Sequence, residues 1–307
     1  MAIPRTKLGR TGLDITRLGF GAMEIRGAPR GREVTPKQAE TILNAVVDAG
    51  INYIDTSIDY GMSEEFIGRF LAHRRGEFYL ATKCGCQVGA SPAPSGQRSP
   101  HVFTRENIVA GVNQSLRRMK TDHLDVVQFH ASPSRQTLKE NGAVDALMDL
   151  QREGKVRFLG MSGVLPDLAD HVGMGVFDVL QIPYSALERQ NEGWIRQAAK
   201  AGIGTVIRGG VAKGEPGESG VSRPDPWTLF ERAKLRELMP GGETPTSFLL
   251  RFTLSHPGMH TTIVGTMNPD HLRANVAAAS RGPLAADSYE EAKRRLAAAG
   301  EVPAEAS

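Results

Sequence analysis

The chain has 307 residues, of which 40% are hydrophobic and 23% are charged, and its formal net charge at pH 7 is +3. These proportions are close to ordinary globular usage, so they exclude a disordered, collagen-like or coiled-coil chain. Basic residues are mixed with acidic ones and form no stripe interleaved with aromatic residues, which argues against a nucleic-acid partner.

The predicted secondary structure alternates between strands and helices along the chain. Eight short apolar runs are typical of strands, and they cover 17–23, 52–57, 78–84, 124–130, 156–162, 179–185, 204–208 and 261–266. Helical patterns follow them at 36–49, 63–73, 104–119, 143–153, 165–171, 191–201, 244–255 and 269–279. Segments 6–8 and 13–15 predict an N-terminal β-hairpin, 286–299 predicts one more helix, and 301–307 predicts a loose tail.

This alternation predicts an α/β fold with a parallel sheet covered by helices. An open dinucleotide-binding sheet would carry a glycine fingerprint at its first turn, but the segment after Gly19 and Gly21 has no third glycine and opens no immediate helix. The count of eight strands therefore favours a (β/α)8 TIM barrel, with the hairpin capping its bottom and an extra C-terminal helix. We expect residues 1–307 to form a single domain.

Two segments are too long for plain connections. Residues 85–102 are rich in glycine, proline and serine, and residues 209–227 are rich in glycine and proline. Both follow the C-terminal end of a predicted strand, and in a barrel such loops gather on the face that carries the active site. We expect them to form lids.

The two cysteines, Cys84 and Cys86, are separated by a single residue. Neighbours this close rarely form a disulfide, and no second Cys/His pair stands at zinc-ligand spacing, so we expect reduced thiols and no metal site. The first ten residues lack the apolar core of a signal peptide, and no run approaches the length of a membrane span. We therefore expect a cytoplasmic protein with no membrane partner.

Four polar side chains stand at the ends of strand-like runs. Asp55 and Tyr60 belong to the second run and the turn after it, Lys83 ends the third and His130 ends the fourth. Taken singly, a turn aspartate, a core tyrosine and a strand-end histidine each have a structural interpretation, but a buried lysine needs a carboxylate partner or a chemical role. Together these side chains are able to handle a proton at a carbonyl oxygen without a metal, which predicts carbonyl reduction.

At these residues the chain resembles the aldo-keto reductases, and the resemblance covers essentially its whole length. The matching segments are Asp55-Thr56, Tyr60-Gly61-Met62-Ser63-Glu64, Ala81-Thr82-Lys83, Ser115-Leu116-Arg117-Arg118, Gln128-Phe129-His130, Gly154-Lys155-Val156-Arg157 and Gly160-Met161-Ser162. The resemblance implies a barrel, a nicotinamide cofactor bound in extended form without a Rossmann unit, and a catalytic tetrad of Asp55, Tyr60, Lys83 and His130.

The implied reaction is the NADPH-dependent reduction of an aldehyde or ketone, such as a sugar, to the alcohol. A free tyrosine has a pKa of about 10 and is a poor acid at neutral pH unless its anion is stabilised. Lys83, itself paired with Asp55, would stabilise the phenolate and allow Tyr60 to donate the proton. His130 would bond the carbonyl oxygen and orient the substrate.

The resemblance also implies the residues that bind the cofactor. Ser162 and Gln181 match the pair that bonds the carboxamide, although Gly163 stands where asparagine is common. The segment after the seventh strand resembles the pyrophosphate loop, and the segment after the eighth resembles the adenosine end of the site. The residues implied there are Arg208, Gly209, Val211, Lys213, Gly265, Thr266, His271, Arg273 and Asn275.

Three of these positions bear on the identity of the cofactor. Arg208 stands where many members stack an aromatic ring, and its charge would disfavour the positive oxidised nicotinamide, so we hypothesise a preference for the reduced form. The alternative is that Arg208 is turned toward a phosphate. Gly265 and His271 replace the lysine and arginine that often bind the 2′-phosphate, so NADP is expected from family habit and NAD is the alternative.

A largely apolar substrate pocket is the final expectation. Its residues are Met23, Ile25, Ile58, Cys86 and Trp227, each of which also suits ordinary packing. Two other function classes are alternatives to a reductase. One is a nicotinamide-binding regulatory or sensor protein with little turnover, and the other is a barrel hydrolase, for which paired strand-end carboxylates and metal-ligand clusters are missing. The substrate and the oligomeric state are left open.

Overall fold

The computed structural model describes residues 2–89, 100–214 and 224–306. Its strands are β1 (Arg5–Lys7), β2 (Asp14–Thr16), β3 (Leu18–Gly21), β4 (Tyr53–Asp55), β5 (Tyr79–Cys84), β6 (Leu124–Phe129), β7 (Val156–Ser162), β8 (Val179–Pro183), β9 (Gly204–Arg208) and β10 (Thr261–Val264). The last eight form a closed barrel in the order β10-β3-β4-β5-β6-β7-β8-β9. The predicted parallel barrel is therefore confirmed, strand by strand.

The barrel strands are mostly apolar and are buried on both faces. All six residues of β6, Leu-Asp-Val-Val-Gln-Phe, are buried, as expected for a parallel strand with helices outside and side chains inside. The parallel register of β5 and β6 places Lys83 opposite Gln128 and Cys84 opposite Phe129. The polar ends of neighbouring strands are therefore brought to the same edge.

The predicted helices are present, with ends that differ by a few residues. The helices are α1 (Pro36–Asp48), α2 (Ser63–Phe70), α3 (Arg105–Met119), α4 (Arg135–Glu140), α5 (Ala143–Arg152), α6 (Leu168–Gly173), α7 (Glu192–Lys200), α8 (Pro224–Arg232), α9 (Pro245–Ser255), α10 (Pro269–Arg281) and α11 (Ala286–Ala298). Helix α1 starts at a capping box formed by Thr35 and Gln38, with Pro36 in the first turn. The sequence pattern did not predict α4 or α8.

The N-terminal hairpin is confirmed as an antiparallel pair of β1 and β2. The backbone N–H of Arg10, in its turn, donates to the carbonyl oxygen of Gly202 at 2.7 Å. Because Gly202 comes just before β9, the turn lies at the N-terminal end of that strand. This is the position expected of a hairpin that caps the bottom of a barrel.

The expectation of a loose C-terminal tail is wrong for the residues that the structure describes. The backbone N–H of Ala304 donates to the carbonyl oxygen of Gln190 at 3.1 Å, and the Gln197 side chain donates to the carbonyl oxygen of Ala306 at 3.1 Å. Arg189 donates from its backbone to the Glu301 carboxylate at 2.5 Å. These bonds hold the tail beside α7.

The chain divides into two compact units. One comprises residues 19–180 and 265–269, and its fully buried side chains include Phe20, Tyr53, Lys83 and Phe129. The other comprises residues 1–18, 181–264 and 270–307, and its fully buried side chains include Tyr184, Phe230, Phe248 and Phe252.

The two predicted lids are described only in part. Residues 90–99 of the first and 215–223 of the second lie outside the described residues. Among the helices that the structure describes, none combines the length and the apolar character needed to cross a membrane.

Candidate active site

Asp55 and Lys83 form a buried ion pair. Asp55 is the last residue of β4 and Lys83 lies near the end of the adjacent strand β5, and the Lys83 Nζ is 2.5 Å from the Asp55 Oδ2. Only 1% of the Lys83 side chain and 3% of the Asp55 side chain are exposed. Nζ also donates to the carbonyl oxygen of Thr56 at 2.7 Å. A lysine so deeply buried is tolerated because a carboxylate and a carbonyl oxygen accept hydrogen bonds from its ammonium.

The other oxygen of Asp55 is held by Gln128, whose role the sequence analysis missed. The Gln128 Nε2 donates to the Asp55 Oδ1 at 2.8 Å, and both side chains are buried. The strand register accounts for this contact, because it places Gln128 opposite Lys83 on the neighbouring strand. Although the matched segment Gln128-Phe129-His130 contains it, the sequence shows nothing of which side chain it contacts.

Tyr60 lies beside the ammonium of Lys83. The Lys83 Nζ is 5.0 Å from the centroid of the Tyr60 ring, within the range in which a cation and an aromatic ring attract each other. Burial alone would lower the pKa of Lys83, but the charges of Asp55 and Tyr60 and the hydrogen bond to Asp55 outweigh it and raise that pKa. Lys83 is therefore a positive charge next to the phenol at neutral pH.

His130 follows β6 and completes the predicted group of four. Its ring is 6.2 Å from the Tyr60 ring, centroid to centroid, with the two planes at 81°. Its Nδ1 lies 3.2 Å from the Cys86 Sγ and 3.7 Å from the Asp59 Oδ1. About 20% of the His130 side chain is exposed, so the ring borders solvent while the ion pair beneath it does not.

Asp59, which the sequence analysis did not single out, supplies a negative charge here. Burial would raise its pKa, but His130, a hydrogen bond from Ser57 and the contact with Arg30 together lower it to about 2. The Arg30 Nη1 is 2.9 Å from the Asp59 Oδ2, and the Ser57 Oγ donates to Oδ1 at 2.7 Å. Asp59 therefore stays ionised beside His130.

Residues from three of the matched segments form a buried network next to the ion pair. The Glu64 carboxylate accepts from the Thr82 Oγ1 at 2.8 Å and the Ser115 Oγ at 2.7 Å, and the Arg118 guanidinium lies 3.4 Å away. Burial raises the pKa of Glu64 against the opposing effect of these donors. The network links α2 and α3 to the strand that carries Lys83, so these motif residues hold the site in place.

Ser162, Gly265 and Thr266, which are predicted to bind cofactor, lie in the same compact unit as the tetrad. Ser162 ends β7 with 6% exposure. Thr266 accepts from the backbone N–H of Asn268 at 3.0 Å, just before α10 begins at Pro269. A residue with a Cβ in place of Gly265 would press on the carbonyl oxygen of Gly21, 2.5 Å away.

The glycine at 163 has a local explanation. A Cβ there would lie 3.0 Å from the His171 Nδ1 and 3.1 Å from the Leu168 Cδ1. His171 is fully buried and is held by a 2.8 Å hydrogen bond between its Nε2 and the carbonyl oxygen of Pro133. A side chain at 163 would therefore need the His171 ring or the Leu168 side chain to shift by a few tenths of an ångström.

The remaining predicted cofactor residues lie in the second compact unit. Gln181 is in β8 and Arg208 ends β9. Directly after β9 the backbone has positive φ at Gly209, Ala212, Lys213 and Gly214, and successive turns of this kind present backbone N–H groups to anions. On α10, Asn275 is buried and His271 is half-buried, whereas Arg273 is 71% exposed and paired with Asp270.

The predicted pocket residues differ in how accessible they are. Met23 is 37% exposed, Ile58 is 8% exposed, and Cys86 and Ile25 are almost fully buried. In the other unit, Trp227 donates from its Nε1 to the carbonyl oxygen of Gly214 at 2.8 Å and packs against Phe230. Among the predicted pocket residues, Cys86 contacts His130 directly.

Comparisons with known proteins show which family this chain belongs to. The Aldo/keto reductase family profile matches residues 17–296. The chain is 28% identical to the uncharacterized oxidoreductase YqkF of Bacillus subtilis, covering 90% of this chain and 91% of that one. It is also 28% identical to pyridoxine 4-dehydrogenase of Escherichia coli, with 86% and 90% covered. Among solved structures, aldo-keto reductase AKR11C1 from Bacillus halodurans, in its holo form, superposes with a TM-score of 0.81 at 28% identity, with 95% and 96% covered.

Proposed function

Because this chain belongs to the aldo/keto reductase family, we propose that it reduces an aldehyde or ketone to the alcohol with NADPH, and that Tyr60 donates the proton. The observation that carries the proposal is the buried ion pair of Lys83 and Asp55 against the Tyr60 ring. A positive charge fixed beside a phenol stabilises the phenolate that forms when the proton leaves. This charge is placed in advance, so no reorganisation is needed during the reaction.

Each residue of the tetrad then has a distinct task. Asp55 keeps Lys83 protonated and in place, Lys83 stabilises the Tyr60 phenolate, and Tyr60 gives its proton to the carbonyl oxygen. His130, whose Nδ1 lies 3.2 Å from the Cys86 Sγ, is proposed to bond the carbonyl oxygen and orient the substrate. When bound, the reduced nicotinamide supplies the hydride that attacks the carbonyl carbon.

The residues proposed to bind the cofactor are those that the family resemblance implies. Ser162 and Gln181 are proposed for the carboxamide, and the segment from Arg208 to Lys213, with Gly209 and Val211, for the pyrophosphate. The positive-φ backbone of that segment supports this, because it suits a bound anion. Gly265, Thr266, His271 and Asn275 are proposed for the adenosine end. Arg273 is the weakest of these residues, since its guanidinium already contacts Asp270.

The proposal is tested by NADPH oxidation with a panel of aldehydes and ketones, measured for the wild type and for Tyr60→Phe. We expect Tyr60→Phe to lose activity by orders of magnitude while NADPH still raises its melting temperature. Tyr79→Phe is a matched control, because Tyr79 begins β5 at the end away from Lys83. A Tyr60→Phe enzyme that reduces carbonyls at nearly the normal rate would exclude Tyr60 as the proton donor.

The choice of cofactor is tested separately from the reaction. Thermal shifts with NADPH and with NADH, at equal concentrations, report relative affinity because stabilisation grows with the logarithm of concentration over Kd. A larger shift with NADPH is expected. A protein that binds either cofactor but turns over no carbonyl compound would instead fit a nicotinamide-binding regulatory protein.

A further inference from the structure

Cys86, His101 and His130 form a compact Cys-His-His trio at the edge of the candidate active site. The Cys86 Sγ is 3.2 Å from the His130 Nδ1 and 3.6 Å from the His101 Nε2. All three of these ligand atoms lie within 4.8 Å of one another. Within the described residues, these three side chains form the group of potential metal ligands that lie close enough together to share one ion. The sequence analysis expected no metal site because no second Cys/His pair stands at zinc-ligand spacing; His101 and His130 are separated by 28 residues of chain.

Backbone pairing holds two of the three side chains together. Cys86 and His101 face each other across an antiparallel bridge, flanked by the bonds from the Gln87 N–H to the Pro100 oxygen at 2.9 Å and from the Val102 N–H to the Gly85 oxygen at 2.7 Å. Neither bond joins residues 86 and 101 themselves, so these two form a non-hydrogen-bonded pair, the type in which the side chains lie closer together. The pairing therefore fixes where the two side chains point.

Asn107 fastens the same short ribbon to α3. Its side-chain amide donates to the carbonyl oxygens of Val102 at 2.7 Å and Cys86 at 3.1 Å, and its Oδ1 accepts from the Val88 N–H at 3.0 Å. One side chain thus holds three backbone groups on both strands of the ribbon. The trio is consequently built on supported backbone and needs little ordering when an ion binds.

The spacing matches what a tetrahedral zinc ion requires. Bonds of about 2.3 Å to sulfur and about 2.0 Å to nitrogen place those ligand atoms about 3.5 Å apart. The two measured sulfur-to-nitrogen distances lie on either side of that value. One thiolate and two imidazoles are ligands that zinc prefers, and three protein ligands leave a fourth position open.

We propose that Cys86, His101 and His130 bind a zinc-class divalent cation, and that the bound ion inhibits carbonyl reduction by holding the His130 ring among its ligands, so that the ring no longer orients the substrate. Binding releases one proton from the Cys86 thiol, because a coordinating thiol is deprotonated. The Asp59 carboxylate, 3.7 Å from the His130 Nδ1, offsets part of the added positive charge. Arg30, which pairs with Asp59, and the nearby Lys83 ammonium act against it.

The half-exposed histidines explain how an ion reaches the trio. Cys86 is 1% exposed, whereas His101 and His130 are both partly open to solvent. The ion would therefore meet the imidazoles first and the sulfur last. The inhibitory part of the inference rests on the proposed function, since it assumes that His130 contacts the substrate; the binding part does not.

Binding is tested with Co²⁺ and Zn²⁺ on the untagged full-length protein freed of metal. We expect one equivalent of Co²⁺ to give a sulfur-to-cobalt charge-transfer band with the visible bands of tetrahedral cobalt, and Zn²⁺ to displace it. His101→Gln should weaken binding at least tenfold, and Cys86→Ser should abolish the charge-transfer band. Cys84→Ala is the matched control, because Cys84 is equally buried but is not among the three ligands.

The outcomes separate this inference from the proposed function. A wild type that gives no band, or a band that survives in Cys86→Ser, overturns the metal site. Zn²⁺ should lower the rate of carbonyl reduction at least tenfold in the wild type and in Cys84→Ala, and EDTA should restore it, while His101→Gln resists the same Zn²⁺ concentration. If the protein binds metal but has no reductase activity, the metal site stands and the proposed function is wrong. If bound Zn²⁺ leaves the rate of carbonyl reduction unchanged, the inhibitory part of the inference is wrong.

Discussion

The Gln128 side chain donates to the Asp55 carboxylate oxygen that Lys83 leaves unoccupied, with 2.8 Å between Nε2 and Oδ1. Since Lys83 takes the other oxygen at 2.5 Å, both acceptor atoms of Asp55 are engaged. The carboxylate is therefore fixed in position as well as charged, and it fixes the Lys83 ammonium in turn. Removal of one partner should therefore have a cost in the free energy of unfolding, because the other partner stays buried.

Asp55→Asn should reveal that cost. The substitution leaves the Lys83 ammonium buried without its counter-charge, so the free energy of unfolding should fall by about 3–5 kcal/mol and carbonyl reduction should be lost. The double variant Asp55→Asn/Lys83→Met should recover much of the stability, because no buried charge remains, but none of the activity. Urea unfolding of the two single variants and the double variant gives the coupling energy. Strictly additive effects would mean that the pair is not coupled.

Arg208→Tyr tests the hypothesis about the oxidised and reduced cofactors. Arg208 ends β9, and a guanidinium near the nicotinamide should repel the positive oxidised ring. The substitution should therefore raise the affinity for NADP⁺ relative to NADPH by several-fold. Fluorescence titration with both forms measures the ratio. Equal ratios in the wild type and the variant would indicate that Arg208 faces a phosphate instead.

Gly68→Ala should separate two helices that support the site. A Cβ on Gly68, in α2, would lie 2.0 Å from the carbonyl oxygen of Arg118 and 2.7 Å from the Cα of Met119, both in α3. Because backbone cannot move aside as a flexible side chain does, we expect a loss of about 1–3 kcal/mol in the free energy of unfolding.

The matched control for this prediction is Gly76→Ala, where an added Cβ meets nothing within 4 Å. Urea unfolding should show a change within about 0.5 kcal/mol for the control, since it disturbs no packing. Equal destabilisation of both variants would point to an effect on the unfolded chain, and the proposed contact between α2 and α3 would then not be the cause.

Stability should depend on pH through His256. Burial lowers the pKa of His256 to about 4, against the opposing effect of Glu192, while the unfolded chain has a pKa of about 6.5. Between these values the unfolded state binds more protons, so stability rises with pH and is lost on acidification. From pH 7 to pH 5 this histidine should cost about 2 kcal/mol.

The measurement is chemical unfolding at both pH values for the wild type and His256→Gln. The neutral ring is fixed by an Nε2 bond to the Glu192 carbonyl oxygen at 3.1 Å and by the Gly258 N–H on Nδ1 at 3.1 Å. Since glutamine does not titrate, the variant should lose about that much of the pH dependence even if it is less stable overall. Parallel pH profiles for the two proteins would show that His256 titrates normally.

Much of the fold was predictable because the burial of a strand or helix shows in the spacing of its apolar residues along the chain. The barrel strands are mostly apolar, as in the Leu-Asp-Val-Val-Gln-Phe run of β6, and the longer helices repeat their apolar residues at helical spacing. This spacing is a weaker signal in short elements. Helix α4, with six residues, buries only Leu138 and so gave no periodic pattern. The tail beyond α11 has no helical or strand spacing, and its contacts with residues around α7 are seen only in the tertiary structure.

For the candidate site, the sequence by itself determined the four polar strand-end residues and their family motif. Only the tertiary structure decided that Gln128 holds Asp55, that Asp59 stands ionised beside His130, and that Cys86, His101 and His130 meet. The physical reason is that hydrophobic spacing reports whether a residue is buried, whereas contacts between polar side chains depend on strand register and loop pairing, which join residues that are remote in the chain.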